Sequence, residues 1–117
     1  MKENIIVSKS FDFAVKIVKF SFQKKKKKKE FVISRQLLKS GTSIGANIEE
    51  SQGAISKAEF IAKLQISLKE AKEAKYWLRL IHASDIYTDP ILKELTNECG
   101  ELIVLLTSIL KSSKANR

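Results

Sequence analysis

A single proline, Pro90, and four glycines, at positions 41, 45, 53 and 100, are all that punctuate 117 residues. Proline lacks the backbone donor that a helix uses, and glycine lacks the Cβ that restrains the chain, so both break regular structure. So few of them leave room for long helices. The apolar pattern agrees. No stretch shows strand-like alternation, and four stretches carry apolar residues at recurring steps of three and four, the period of a helix face.

The first stretch runs from about Val7 to Lys25 and has two apolar stripes. Val7, Phe11, Ala14, Val18 and Phe22 form one; Phe13, Ile17 and Phe20 form the other. Asp12, Lys16, Lys19 and Gln23 fall on a narrow polar strip between them. One bundle core covers one stripe. The second stripe, Phe13, Ile17 and Phe20, is therefore expected to meet another copy of the chain. Left open it would be an aggregation-prone patch.

The second stretch runs from about Phe31 to Gln52, with Ile33, Leu37, Gly41, Ile44 and Ile48 as its stripe. Gly41 and Gly45 lie inside it, where each costs about 1 kcal/mol relative to alanine. Close helix approach or a bend explains them, and the neighbouring Ala46 favours close approach. The third stretch, from about Lys57 to Ser84, has the best-signalled start. Ser56 and Glu59 have capping-box spacing, with Ile55 and Phe60 at the positions of a hydrophobic staple. Its stripe is Ile61, Leu64, Leu68, Ala71, Lys75 and Leu78. The fourth runs from about Pro90 to Lys111 behind an Asp89 cap, with Leu92, Leu95, Cys99, Leu102, Leu106 and Ile109 inward. Short connections favour antiparallel neighbours. The expected fold is all-α, one antiparallel up-down-up-down four-helix bundle spanning residues 1–117.

The net charge of +9 is concentrated. Residues 1–40 hold 12 Lys/Arg against 3 Asp/Glu, whereas residues 41–117 hold 10 of each. Lys24, Lys25, Lys26, Lys27, Lys28 and Lys29 are consecutive. Local positive charge suits a polyanionic partner. Lys16, Lys19, the lysine run and Arg35 are the candidate RNA or DNA contacts, with Lys39 beside them. Lysine without arginine forks or stacking rings gives binding without sequence preference. The competing reading of the run is a solvated helix end whose charge suits the helix dipole.

Catalytic and metal patterns are missing. His82 is the only histidine and Cys99 the only cysteine. Cys99 occupies a core position and reads as a small hydrophobe, and no glutamate stands three residues before His82 as di-iron bundles require. Tyr76 and Trp77 read as packing residues. No cofactor, metal or enzymatic activity is expected. A lone cysteine fits a reducing cytoplasm. The longest aliphatic run, residues 102–106, falls far short of the roughly 20 residues of a membrane span.

Residues 35–50, RQLLKSGTSIGANIEE, followed by Ser56-Lys-Ala-Glu-Phe60 and Leu64-Gln-Ile-Ser-Leu-Lys-Glu70, resemble the bacterial four-helix-bundle proteins associated with intervening sequences of 23S ribosomal RNA genes. The resemblance runs over nearly the whole chain and is strongest from Gln36 to Leu80. It implies a ring-like homopentamer. By analogy with the related accessory protein of diversity-generating retroelements, it also implies RNA or DNA and a reverse transcriptase as partners. On the same pattern Asn47, Glu50, Ser67 and Glu70 are expected to form a structural polar network between the second and third helices. The six-lysine run departs from the family pattern.

Overall fold

The computed structural model describes residues 2–28 and 32–116, with side chains from residue 5 to 23 and from 32 onward. Four helices follow one another: α1 (Lys2–Lys28), α2 (Val32–Gln52), α3 (Lys57–Ser84) and α4 (Ile91–Ala115). No strand occurs among the described residues. Each helix packs against two others, α1 on α2 and α4, α3 on α2 and α4. The result is the expected four-helix bundle, 48 × 20 × 20 Å.

The core runs along the bundle axis. Leu92, Leu95, Cys99, Leu102, Leu106 and Ile109 are all buried, as the steps of three and four in α4 require. From α3 come Ile61, Leu64, Ala71, Ala74, Leu78 and Ile81, with Leu68 partly buried against them. Burial raises the Cys99 thiol to about 12, and Cys99 Sγ donates to the Ala71 carbonyl at 3.2 Å. At neutral pH it is an inert thiol, because the thiolate is the reactive form.

The two glycines of α2 mark close approach, not a bend. A Cβ at Gly41 would stand 3.0 Å from both Cγ atoms of Ile17, and one at Gly45 would stand 3.3 Å from the Ser10 carbonyl oxygen. The missing side chains are what let α1 lie so near to α2.

That close approach decides the orientation of α1 and corrects the expected assignment of its stripes. Phe13, Ile17 and Phe20 are buried inside the bundle together with Ile6, so they are not an oligomer interface. The physical reason is the partner surface: Ile17 enters the slot at Gly41, and Phe20 meets the Tyr87 ring edge-on at 5.5 Å. Phe11, Val15, Val18 and Phe22 point outward instead, with Phe11 58% and Phe22 56% exposed.

The start of α3 forms as a cap, with two differences. The Glu59 amide donates to Ser56 Oγ at 3.1 Å. The Glu59 carboxylate reaches back one residue further than the usual box, accepting from the Ile55 amide at 3.0 Å. The staple is absent: Ile55 is 96% exposed, while Phe60 packs on the core alone. At α4 the Asp89 Oδ1 accepts from the Ile91 amide at 3.0 Å, and the helix begins one residue after Pro90.

Candidate nucleic-acid interface

Two lysines of α1 are already spoken for. Lys16 Nζ donates to Glu98 Oε2 at 2.6 Å and to Glu94 Oε1 at 3.0 Å. Those bonds hold the Lys16 ammonium well above the usual lysine range, the Glu98 bond contributing most. The Glu94 carboxyl is held below its usual range by the bond from Lys16. Lys9 pairs likewise with Glu101 at 3.1 Å. A cation between two carboxylates presents no net positive charge, so Lys16 leaves the set of candidate phosphate contacts.

Lys19 and Arg35 are exposed, and neither has an ion-pair partner among the described residues. Lys19 lines a shallow groove with Gln23 and Ile91. Arg35 lines a small apolar cleft with Phe22 and Leu38. Lys39 is exposed on the same side of α2 as Arg35, one helical turn on. The side chains of Lys24 to Lys28, and all of Lys29, lie outside the described residues.

The four expected members of a polar network lie along the α2–α3 seam but do not join one another. Ser67 Oγ donates to the Ile44 carbonyl at 2.9 Å, a bond from α3 to α2. Asn47 Nδ2 donates within its own helix to the Ser43 carbonyl. Glu50 pairs with Lys63 at 2.8 Å, which raises the Lys63 ammonium. Glu70 Oε2 is buried without a hydrogen-bond partner. Desolvation, and then the nearby Glu73 charge, push the Glu70 carboxyl up. The seam consists of separate contacts: Ser67 and Glu50 each reach across to the other helix, Asn47 bonds on its own turn, and Glu70 Oε2 meets no donor.

One basic surface does not show in the sums of charge along the chain. Arg79 and His82 of α3 face Lys93, Thr96 and Asn97 of α4 across a groove of about 470 Å³ floored by Leu92. The sequence signal was present: Lys72, Lys75, Arg79 and His82 stand at steps of three, four and three. It was masked because residues 41–117 sum to zero charge. Tyr76, expected to pack, is 53% exposed, with its ring edge-on to Trp77 at 5.2 Å.

Among the described residues no group of three or more His, Cys, Asp or Glu side chains is placed to hold a metal ion, and no helix is long and apolar enough to cross a membrane.

Comparison with known proteins agrees with this architecture. A family model described as 23S rRNA-intervening sequence protein matches residues 2–108. The chain is similar to the crystal structure of a protein with unknown function from the S23 ribosomal protein family of Bacteroides thetaiotaomicron. The TM-score is 0.90 at 47% identity, covering 95% of this chain and 99% of that one. No curated protein matches the sequence.

Proposed function

Starting from the fact that this chain belongs to the 23S rRNA-intervening sequence protein family, we propose that it is a non-enzymatic, homo-oligomeric accessory protein that holds RNA or DNA without regard to sequence. One observation carries this reading: the whole +9 excess lies within residues 1–40. After α4 carboxylates take Lys9 and Lys16, Lys19 on α1 and Arg35 on α2 remain exposed, with the lysine run between them in the sequence. Lysine contacts to phosphate carry no base information. The outer ridge of α1, with Phe11 and Phe22 at its ends, supplies the apolar face for assembly with further copies. Assembly repeats these basic residues around one particle, and a second contact on one polymer is then effectively intramolecular.

The test is a gel shift with unrelated RNA and DNA oligonucleotides at about 50 and 200 mM salt. Affinity should be similar across sequences and fall steeply at the higher salt. Changing Lys24 through Lys29 to glutamine should weaken every complex and flatten the salt slope, with the helical spectrum unchanged. If neither protein shifts any oligonucleotide at low salt, the chain is a protein–protein assembly module, which the outer ridge of α1 favours.

A further inference from the structure

The zero net charge of residues 41–117 hides a segregation in space. The carboxylates of α4 turn toward α1: Glu94 and Glu98 bind Lys16, and Glu101 binds Lys9. Glu59 is engaged at its own helix cap, and Asp89 accepts from the Ile91 amide. The flank where α3 meets α4 is left with cations. Lys72, Lys75, Arg79 and His82 form one stripe along α3, about 15 Å long at 1.5 Å per residue. Lys93 lies across the groove, with the Asn97 side chain beside it. The Lys75 Nζ lies over Gly100, 3.9 Å from where a Cβ would stand. None of Lys72, Lys75, Arg79 or Lys93 has a carboxylate within ion-pair distance among the described residues, and no carboxylate lines the groove. Two acids, Asp85 and Asp89, line the adjoining cavity that shares His82 and Lys93 with the groove, and Glu73 stands beside Lys72 on α3.

We infer that the α3–α4 groove is a second binding surface, which takes the phosphodiester backbone of a single-stranded nucleic acid against Lys72, Arg79 and Lys93 and stacks one base on Tyr76. The inference rests on the nucleic-acid reading above and adds a surface that the lysine run does not supply.

Three features select this ligand. Arg79 supplies a planar fork that matches two phosphate oxygens at once, which no lysine does. Tyr76 lies one helical turn before Arg79 and is half exposed, so an aromatic face adjoins the phosphate site. An unpaired base has a free π-face to lay on it, whereas a paired base does not. The α3 wall of the groove, which carries Arg79 and adjoins Tyr76, also belongs to the one helix that α1 does not touch.

The experiment uses the full chain and a fluorescein-labelled 20-nucleotide single strand, read by anisotropy across a salt series. The combined Lys72→Gln, Arg79→Gln and Lys93→Gln variant keeps the lysine run. It should bind roughly tenfold or more weakly, with a salt slope about two smaller, since single strands give about 0.7 per neutralised phosphate. Tyr76→Ala should lose roughly fivefold to a hundredfold at unchanged slope, and Tyr76→Phe should restore binding. Fluorescence of Trp77, the only tryptophan, should change on binding in the wild type and less in Tyr76→Ala. If the triple variant binds as the wild type does while the Lys24–Lys29 glutamine variant does not, the groove is not a binding surface and the earlier reading stands. If wild-type protein binds no oligonucleotide at low salt, both readings fall. If polyglutamate competes as well as the oligonucleotide and Tyr76→Ala is silent, the groove takes an acidic polypeptide and the nucleic-acid assignment is overturned.

Discussion

Phe11 and Phe13 stand two residues apart on one helix, yet Phe13 is wholly buried and Phe11 is 58% exposed. At about 100° per residue they point to opposite sides of α1. The two ridges they head are alike in composition: Phe13, Ile17 and Phe20 inside, Phe11, Val15, Val18 and Phe22 outside. Apolar period therefore identifies both and cannot rank them. The ranking comes from the surface opposite. Gly41 and Gly45 open a slot in α2, and Tyr87 closes over Phe20 from the α3–α4 connection. Nothing in the described chain does the same for Phe11 or Phe22. A ridge belongs to the core because of the small residues it meets.

Truncating each ridge separates them most sharply. Phe13→Ala should cost about 3–5 kcal/mol, the loss typical of a buried phenylalanine whose cavity only partly collapses. Phe11→Ala should stay within about 0.5 kcal/mol of wild type when the protein is dilute enough to be monomeric. Urea unfolding at submicromolar concentration measures both. Equal losses would mean that the two ridges are equally enclosed, contrary to the burial of Phe13 and the exposure of Phe11.

The outer ridge is tested by mass rather than stability. Phe11→Ser with Phe22→Ser should move sedimentation at micromolar concentration from an oligomer to a monomer, with little change in helicity. Phe13→Ala should not produce that shift while the protein remains folded. A wild-type chain that sediments only as a monomer would leave the outer ridge without a self-contact.

How much of this was legible beforehand follows from where each signal resides. The helices of α2, α3 and α4 were readable because each has one dominant stripe, and the α3 start was readable because Ser56 and Glu59 are local to it. The orientation of α1 was not, because two stripes compete and the deciding residues, Gly41 and Tyr87, lie on other elements. Tyr87 sits in a connection, outside any helical period, yet it is 3% exposed and plugs the end of the core. The failed Ile55 staple has a local cause: the Glu59 carboxylate takes the Ile55 amide, while its side chain stays in solvent. Charge was legible as a sum and illegible as an arrangement. Lys16 counted toward a basic patch until Glu94 and Glu98 were placed beside it, and the α3–α4 stripe was cancelled on paper by ten acids, three of which pair with α1.

That arrangement of charge also bears on the two ridges, through the flank that separates them. Lys16 lies between the stripes and bonds to Glu98 and Glu94 of α4. These bonds form only with α1 in the rotation that turns Phe13 inward and Phe11 outward, so they add to what Gly41, Gly45 and Tyr87 impose. The pairs are partly exposed, so their contribution to stability is small and screened by salt. Its pH dependence nevertheless identifies it. The Glu94 carboxyl is depressed in the folded chain, by the Lys16 hydrogen bond first and its charge second. A depressed carboxylate stabilises the fold fully above its unfolded value, near pH 4, and that contribution is lost as pH falls through the folded value. The Lys16 ammonium is raised, so its contribution holds below the ordinary lysine range and is lost only in strong alkali. Lys16→Gln should therefore lower Tm slightly at pH 7, and the gap should close as the pH is taken down to about 3. Added salt at pH 7 should narrow the gap as well. A gap of the same size at pH 3 and pH 7 would assign the effect to the packing of the lysine stem, and the orientation of α1 would then rest on Gly41, Gly45 and Tyr87 alone.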